Sequence, residues 1–229
     1  MGRVKKYFSI VSLIKHIAVL SLIAPIYFIG ISTYASIITS DYSVISQAYS
    51  VLARHDMPNA ALMTAGFLGY ALMIQALGPL LFINAHSKHL GIVIWVLVFI
   101  YGVSGIFASV YKDASTEGTV WALSEGSMHD LASRIGFFAI LIVVILSIKA
   151  MNKNINTNTW KLFSATIVIL TIGFAMSFGF HLLPNHMGLM QRGFFITIML
   201  WIFVTSAMSI LVKVEYTKTS QFIANLSDQ

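Results

Sequence analysis

Apolar residues run almost unbroken through six stretches of the chain, and the polar residues are gathered between them. The stretches fall at about Ile17–Ile38, Ala60–Ile83, Leu90–Tyr111, Leu131–Ile148, Leu162–Leu183 and Gly193–Val212. Each is close to the roughly 20 residues that a helix needs to cross a bilayer. None alternates with the period of two that marks a barrel strand, and each is too long for one. The pattern therefore predicts an all-α fold, a polytopic membrane helix bundle of six transmembrane helices. The fourth stretch is the shortest, and its polar start is expected to lengthen it. There is no internal repeat and no nucleotide-binding loop, so residues 1–229 read as one domain. Residues 1–16 form a basic N-terminal segment, and residues 213–229 a polar tail. The apolar run after His16 is too long for the core of a cleaved signal peptide.

The connections carry patterns of their own. Between Thr39 and Asn59, Val44, Ile45, Ala48, Val51 and Leu52 recur at helical spacing among polar residues. This predicts a short amphipathic helix in the first outer loop. Asp56-Met57-Pro58 reads as the start of the second helix, with a capping acid and a proline in the first turn. Gly66 and Gly69, then Gly102 and Gly105, predict close helix contacts, and Gly78-Pro79 predicts a kink.

Composition supports the same picture. The chain is 58% hydrophobic and only 10% charged, where a soluble domain carries about 25% charged residues. Lipid must be the solvent for much of it. The net charge of +6 does not point to nucleic acid, because its placement follows membrane topology. With the N-terminus in the cytoplasm, Arg3, Lys5, Lys6, Lys15, Lys88, Lys149, Lys153, Lys161, Lys213 and Lys218 collect on the inner side. Only Arg54, Lys112, Arg134 and Arg192 fall outside. This bias predicts a multi-pass protein of the inner (plasma) membrane with both termini cytoplasmic and membrane lipids as its partners. The acids sort the other way, with Asp41, Asp56, Asp113, Glu117, Glu125 and Asp130 outside. There is no cysteine, so a disulfide and a thiolate metal site are both excluded.

Most of the candidate chemistry lies between Asp113 and Arg134 and in the last outer loop. Ser127-Met128-His129-Asp130 has the form of a capping box. Arg134, one turn deeper, is placed to pair with Asp130. His129 is not needed by a cap and sits where a ring is comfortable at headgroup level. The last outer loop brings His181, His186 and Arg192 to the same face, and Arg192 opposes the dipole of the helix it opens. Asp113, His129, Asp130, Arg134, His181, His186 and Arg192 are the candidate ligand-binding residues.

Three functions follow from that set. The first is a non-catalytic module that binds a small or lipid-headgroup ligand in an outer polar cavity lined in part by Trp121, with Arg134 and Arg192 holding an anion. The second is a zinc-dependent membrane hydrolase acting on lipid, with Asp113, His129, His181 and His186 as metal ligands. The third is a small-solute transporter, against which the lack of mid-depth charges counts; Gln75 is the main polar group deep in a helix. Haem needs paired histidines at one depth, and His16 and His86 supply no second pair beside His129 and His181.

The chain resembles a family of uncharacterised prokaryotic six-helix membrane proteins, the domain of unknown function 998. Four patches carry the resemblance. They are Tyr42-Ser43-Val44-Ile45-Ser46-Gln47, Asp113, His129-Asp130-Leu131-Ala132, and Gly188-Leu189-Met190-Gln191-Arg192 with Trp201 beyond it. The resemblance implies six helices and an outer polar cluster. It implies no reaction.

Overall fold

The computed structural model describes residues 2–113, 119–120, 123–152, 155 and 157–227; in its helical ends the side chains of 2–12, 14–15 and 212–227 are outside the description. Glu117 and Trp121, singled out above, lie outside the described residues.

Among the described residues, seven α-helices carry the fold: α1 (Gly2–Ile38), α2 (Ala60–Met73), α3 (Leu77–Asn84), α4 (Lys88–Val110), α5 (Glu125–Ala150), α6 (Asn158–Gly179) and α7 (Met187–Ser227). Six segments of these described residues are long and apolar enough to cross a membrane: His16–Ile38, Ala60–Asn84, Lys88–Val110, Glu125–Ala150, Asn158–Gly179 and Pro184–Leu211. The protein is a polytopic integral membrane helix bundle, as its hydrophobic pattern predicts.

The second span is two helices. Pro79 has no N–H to donate to Gln75 and its ring crowds that carbonyl, so the ladder opens one turn earlier. A 3-10 turn over Ile74–Ala76 joins α2 to α3. The fourth span begins six residues before the apolar run. A two-residue hairpin, β1 (Thr119–Val120) against β2 (Leu123–Ser124), leads into it. Ser124 caps α5 by accepting from the Ser127 N–H at 3.2 Å. This corrects the capping box expected at Ser127 and Asp130: both lie inside the helix, because the cap falls one turn earlier. The start of α2 is corrected too. Its N-cap is Asn59, and Asp56 instead takes both Nε and Nη2 of Arg54, at 3.0 and 2.8 Å.

A short helix does sit between α1 and α2, over Tyr49–Ala53. It is a 3-10 turn with Tyr49, Ser50, Leu52 and Ala53 buried, so it is folded into the bundle. Val44 and Ile45, assigned above to the same helix, lie outside it and are exposed.

Neighbouring spans pack in chain order, and α7 returns to lie along α1, which closes the ring. A Cβ on Gly105 would lie 3.0 Å from the Ala71 Cβ, and one on Gly136 would lie 3.0 Å from the Ser104 Cβ. These small residues let α2, α4 and α5 approach closely. Phe28 is fully buried at the centre, with the rings of Phe67, Tyr49, Tyr70 and Phe195 at 5.2 to 5.8 Å. Hydroxyls that face the interior pair across helices: Ser21 with Ser206 and Thr171 with Thr197, both at 2.8 Å, and Tyr70 with Tyr101 at 2.9 Å.

The six spans put both chain termini at one end of the bundle, called proximal here. The distal end carries the loop between α1 and α2, the end of α4 and the starts of α5 and α7.

Candidate functional site

The distal end is built around Arg192. It sits in the second turn of α7 and is only 6% exposed. A guanidinium taken out of water needs acceptors, and a carboxylate is the usual one. Here the acceptors are neutral. Nη1 donates to the carbonyls of Val44 and Gln47, each at 2.8 Å, and to that of Gly188 at 3.1 Å. Nη2 donates to the Tyr42 hydroxyl at 2.5 Å. The Tyr49 ring lies 4.2 Å from the guanidinium carbon and offers it a π face.

Tyr42 passes the bond on. Its hydroxyl donates to the carbonyls of Gln47 and Ala48, at 3.0 and 2.9 Å. Burial pushes the Tyr42 pKa up, and the adjacent Arg192 works against that shift. The phenol is therefore a neutral donor at ordinary pH, which is what two carbonyls require. Gln191 adds a second clasp, its Oε1 accepting from the Tyr49 N–H at 2.6 Å. The Leu189 N–H donates to the Ile45 carbonyl at 3.1 Å. Gly188 is needed because no Cβ fits: it would meet the Gln47 carbonyl and come within 2.5 Å of that of Val44. The first and last patches of the family resemblance thus bind each other, and the loop after α1 is fastened to the start of α7.

The third patch ties α5 to the end of α4, and the second ties that end to the 3-10 turn. His129 is 7% exposed, and its Nδ1 lies 2.9 Å from the carbonyls of both Ala108 and Tyr111. Carbonyls only accept, so that nitrogen carries the proton. Asp113 accepts from the Ser50 hydroxyl at 2.6 Å, which ties the end of α4 to the 3-10 turn. Glu125 takes the Lys112 backbone N–H at 2.8 Å and stands 3.3 Å from His55 Nε2.

Lys112 lies beneath. Its amine donates to the Thr64 hydroxyl at 2.6 Å and the Ser109 carbonyl at 2.7 Å. Burial lowers its pKa from the ordinary 10.5, and the charge of Glu125 opposes this. The folded chain thus holds this proton less tightly than the unfolded chain. Between the lowered value and 10.5 the unfolded state binds more protons, so stability rises with pH across that window. Lys112→Met removes the titrating group. The melting temperature of the wild type should therefore gain on that of the variant as pH climbs towards 10.5; a constant difference would show that Lys112 is not the source.

The remaining sequence candidates separate. His181 ends α6 with φ 51°. The Leu182 N–H donates to the Ser177 carbonyl and the His181 N–H to that of Phe178, at 3.0 and 3.3 Å. This is a Schellman turn, with histidine where glycine is commonest. His186 closes the 3-10 turn Pro184–His186 and is exposed. Among the described residues no three His, Cys, Asp or Glu side chains stand close enough to hold a metal ion. The zinc set Asp113, His129, His181 and His186 is accordingly not assembled. Asp113 and His129 are spent on bonds between elements, and His181 and His186 face outward from a separate loop. Asp130 and Arg134 are both exposed, and no ion pair joins them.

Sequence reading placed Tyr42, Gly188 and Gln191 in the patches that carry the family resemblance, and Lys112 among the outer charges, but gave none of them a role in the site; Tyr49 it did not single out. The signal for the first three was present in the patches Tyr42–Gln47 and Gly188–Arg192, short polar runs where a plain connector needs none.

The fold and its distal end define a membrane helix bundle whose loop after the first span is locked to the start of the last by one buried arginine. The chain belongs to the family described as a protein of unknown function (DUF998), whose model matches residues 22–208. No curated protein and no solved structure matches it.

Proposed function

We propose that this chain is a non-catalytic membrane module that holds the headgroup of a zwitterionic phospholipid on the surface of α5, at the outer face of the membrane. The observation that carries this reading is Arg134. It is exposed, and no described hydrogen bond or ion pair engages it. Its neighbours along the helix face, Leu131, Ile135 and Phe138, are themselves exposed, at 49%, 46% and 59%. That stripe faces lipid. A cation just below the headgroup level of such a stripe finds its natural partner in a lipid phosphate.

Asp130 selects among headgroups. It lies four residues nearer the distal end on the same helix face, about 6 Å along the axis. In an ethanolamine headgroup the ammonium stands outside the phosphate, so phosphate on Arg134 places ammonium at Asp130. A purely anionic headgroup would meet the Asp130 carboxylate instead. Arg192, the other candidate for an anion, is already occupied by carbonyls. The proposed site is thus a lipid-facing surface of α5; a shallow groove lined by Ile92, Trp95, Val96 and Phe99 lies apart from it, on α4 towards the proximal end.

The test is lipid retained through detergent exchange, read by native mass spectrometry. Wild-type protein should keep ethanolamine phospholipid, and Arg134→Ala should lose about tenfold in affinity, the worth of one or two charge-assisted bonds. Asp130→Asn should shift retention towards anionic lipid. Equal retention by wild type and Arg134→Ala would overturn the reading.

A further inference from the structure

Among the described residues, three buried side-chain polar atoms are left unexplained, all in the proximal half. Ser147 Oγ, Trp160 Nε1 and Thr205 Oγ1 are buried and have no hydrogen-bond partner. Their residues are 0%, 2% and 0% exposed. They lie on α5, α6 and α7, one on each helix. A hydroxyl within a helix can always turn to the carbonyl one turn back, as Ser209 does to Thr205 at 2.8 Å. Ser147 and Thr205 do not take that course.

The bonds around them place all three at one depth. On α6 and α7 the register is set by Trp201 Nε1, which donates to Ser164 Oγ at 3.0 Å. These helices run antiparallel. One turn nearer the proximal end from that bond lies Trp160 on α6 and Thr205 on α7. On α5 the register comes from Asn84. Its amide reaches Ser209 Oγ at 3.3 Å, and its carbonyl accepts from the Asn152 N–H at 2.8 Å. The last residue of α5, Ala150, lies beside them, its carbonyl accepting from the N–H of His86, two residues past Asn84, at 2.8 Å. Four residues back from Ser209 is Thr205, and three back from Ala150 is Ser147. At about 1.5 Å per residue these steps are about 6 and 4.5 Å, so the two agree to within about 2 Å.

We infer that Ser147, Trp160 and Thr205 together bind one buried water molecule, which joins α5, α6 and α7 in the proximal half of the bundle. The chemistry matches. A buried water makes about three hydrogen bonds to groups that would otherwise be unsatisfied. The indole N–H can only donate, so the water accepts from it. The two hydroxyls both donate and accept, so they use its protons or its remaining lone pair. A cation is unsuited, because Nε1 offers it no lone pair. This site is separate from the lipid surface on α5 and does not depend on it.

The sign of a stability change tests the assignment. An unsatisfied buried hydroxyl costs free energy, so replacing it with an apolar isostere would stabilise the fold; a hydroxyl that binds water contributes, so removing it destabilises. Thr205→Val and Ser147→Ala are therefore each expected to lower the melting temperature by about 2–4 °C. Because both variants empty the same site, the double variant should lose clearly less than the two losses combined. A rise in melting temperature for either single variant, or additive losses, would overturn the inference. A measurement on the intact chain stands beside this. The Trp160 indole proton should show a direct nuclear Overhauser contact to a long-lived water, and absence of that contact would equally overturn it.

Discussion

Arg192→Leu is expected to cost about 3–4 kcal/mol of stability, because it strips the donor from the Val44 carbonyl and from the Tyr42 hydroxyl at once. In a chain of this length that is roughly 10 °C of melting temperature. The leucine fills the space well enough, so the loss is one of polar satisfaction rather than of packing. Arg192→Lys should recover less than half of it. An ammonium keeps the charge but cannot span two carbonyls and a phenol from opposite ends of a planar group. Thermal unfolding in detergent measures both variants. A leucine variant that melts within about 2 °C of the wild type would show that the loop after α1 needs no guanidinium.

Gly188→Ala attacks the same clasp from the other side. The added methyl would be driven into the Gln47 and Val44 carbonyls and would come within 2.9 Å of Arg192 Nη1. Two of those three neighbours are backbone, so neither can rotate away. The expected cost is about 3 kcal/mol, the upper part of the range for overpacking. The two changes should not be independent. Once Arg192 has gone, the loop is free to withdraw and the methyl has less to strike. In the Arg192→Leu background, Gly188→Ala should therefore cost less than in the wild type, with the difference read from a double-mutant cycle. Full additivity would mean that the loop is held elsewhere.

The spans were legible because their signal is a sum over some twenty residues and the bilayer penalises every exception. Pro79 was legible for the same reason: a missing N–H has one consequence wherever it falls in a helix. Termini were less so. Ser127 and Asp130 have the spacing of a capping box, but Ser124 offers an equally good hydroxyl one turn earlier, and the hairpin of β1 and β2 decides between them. Sequence carries no trace of that decision. Polar residues at the distal end stand out in the sequence, but their partners do not. Arg192 was expected to seek an anion, whereas its acceptors are carbonyls about 145 residues earlier in the chain. Backbone acceptors have no residue type, so no reading of side chains could have found them. His181 shows the same blindness at short range: it was weighed as a metal ligand, and its positive φ ends a helix.

The packing of α7 against α1 has a consequence for how the protein is made. The first span leaves the ribosome roughly 150 residues ahead of Arg192. At about 5–20 residues per second the wait is on the order of ten seconds. For that interval Ser21 lacks Ser206, and the loop bearing Tyr42 and Tyr49 has nothing to grip. The first helix forms on its own backbone bonds, but the face it turns to α7 is completed only when the last helix arrives. A product truncated before Gly188 therefore carries an open seam along α1 and in the loop after it.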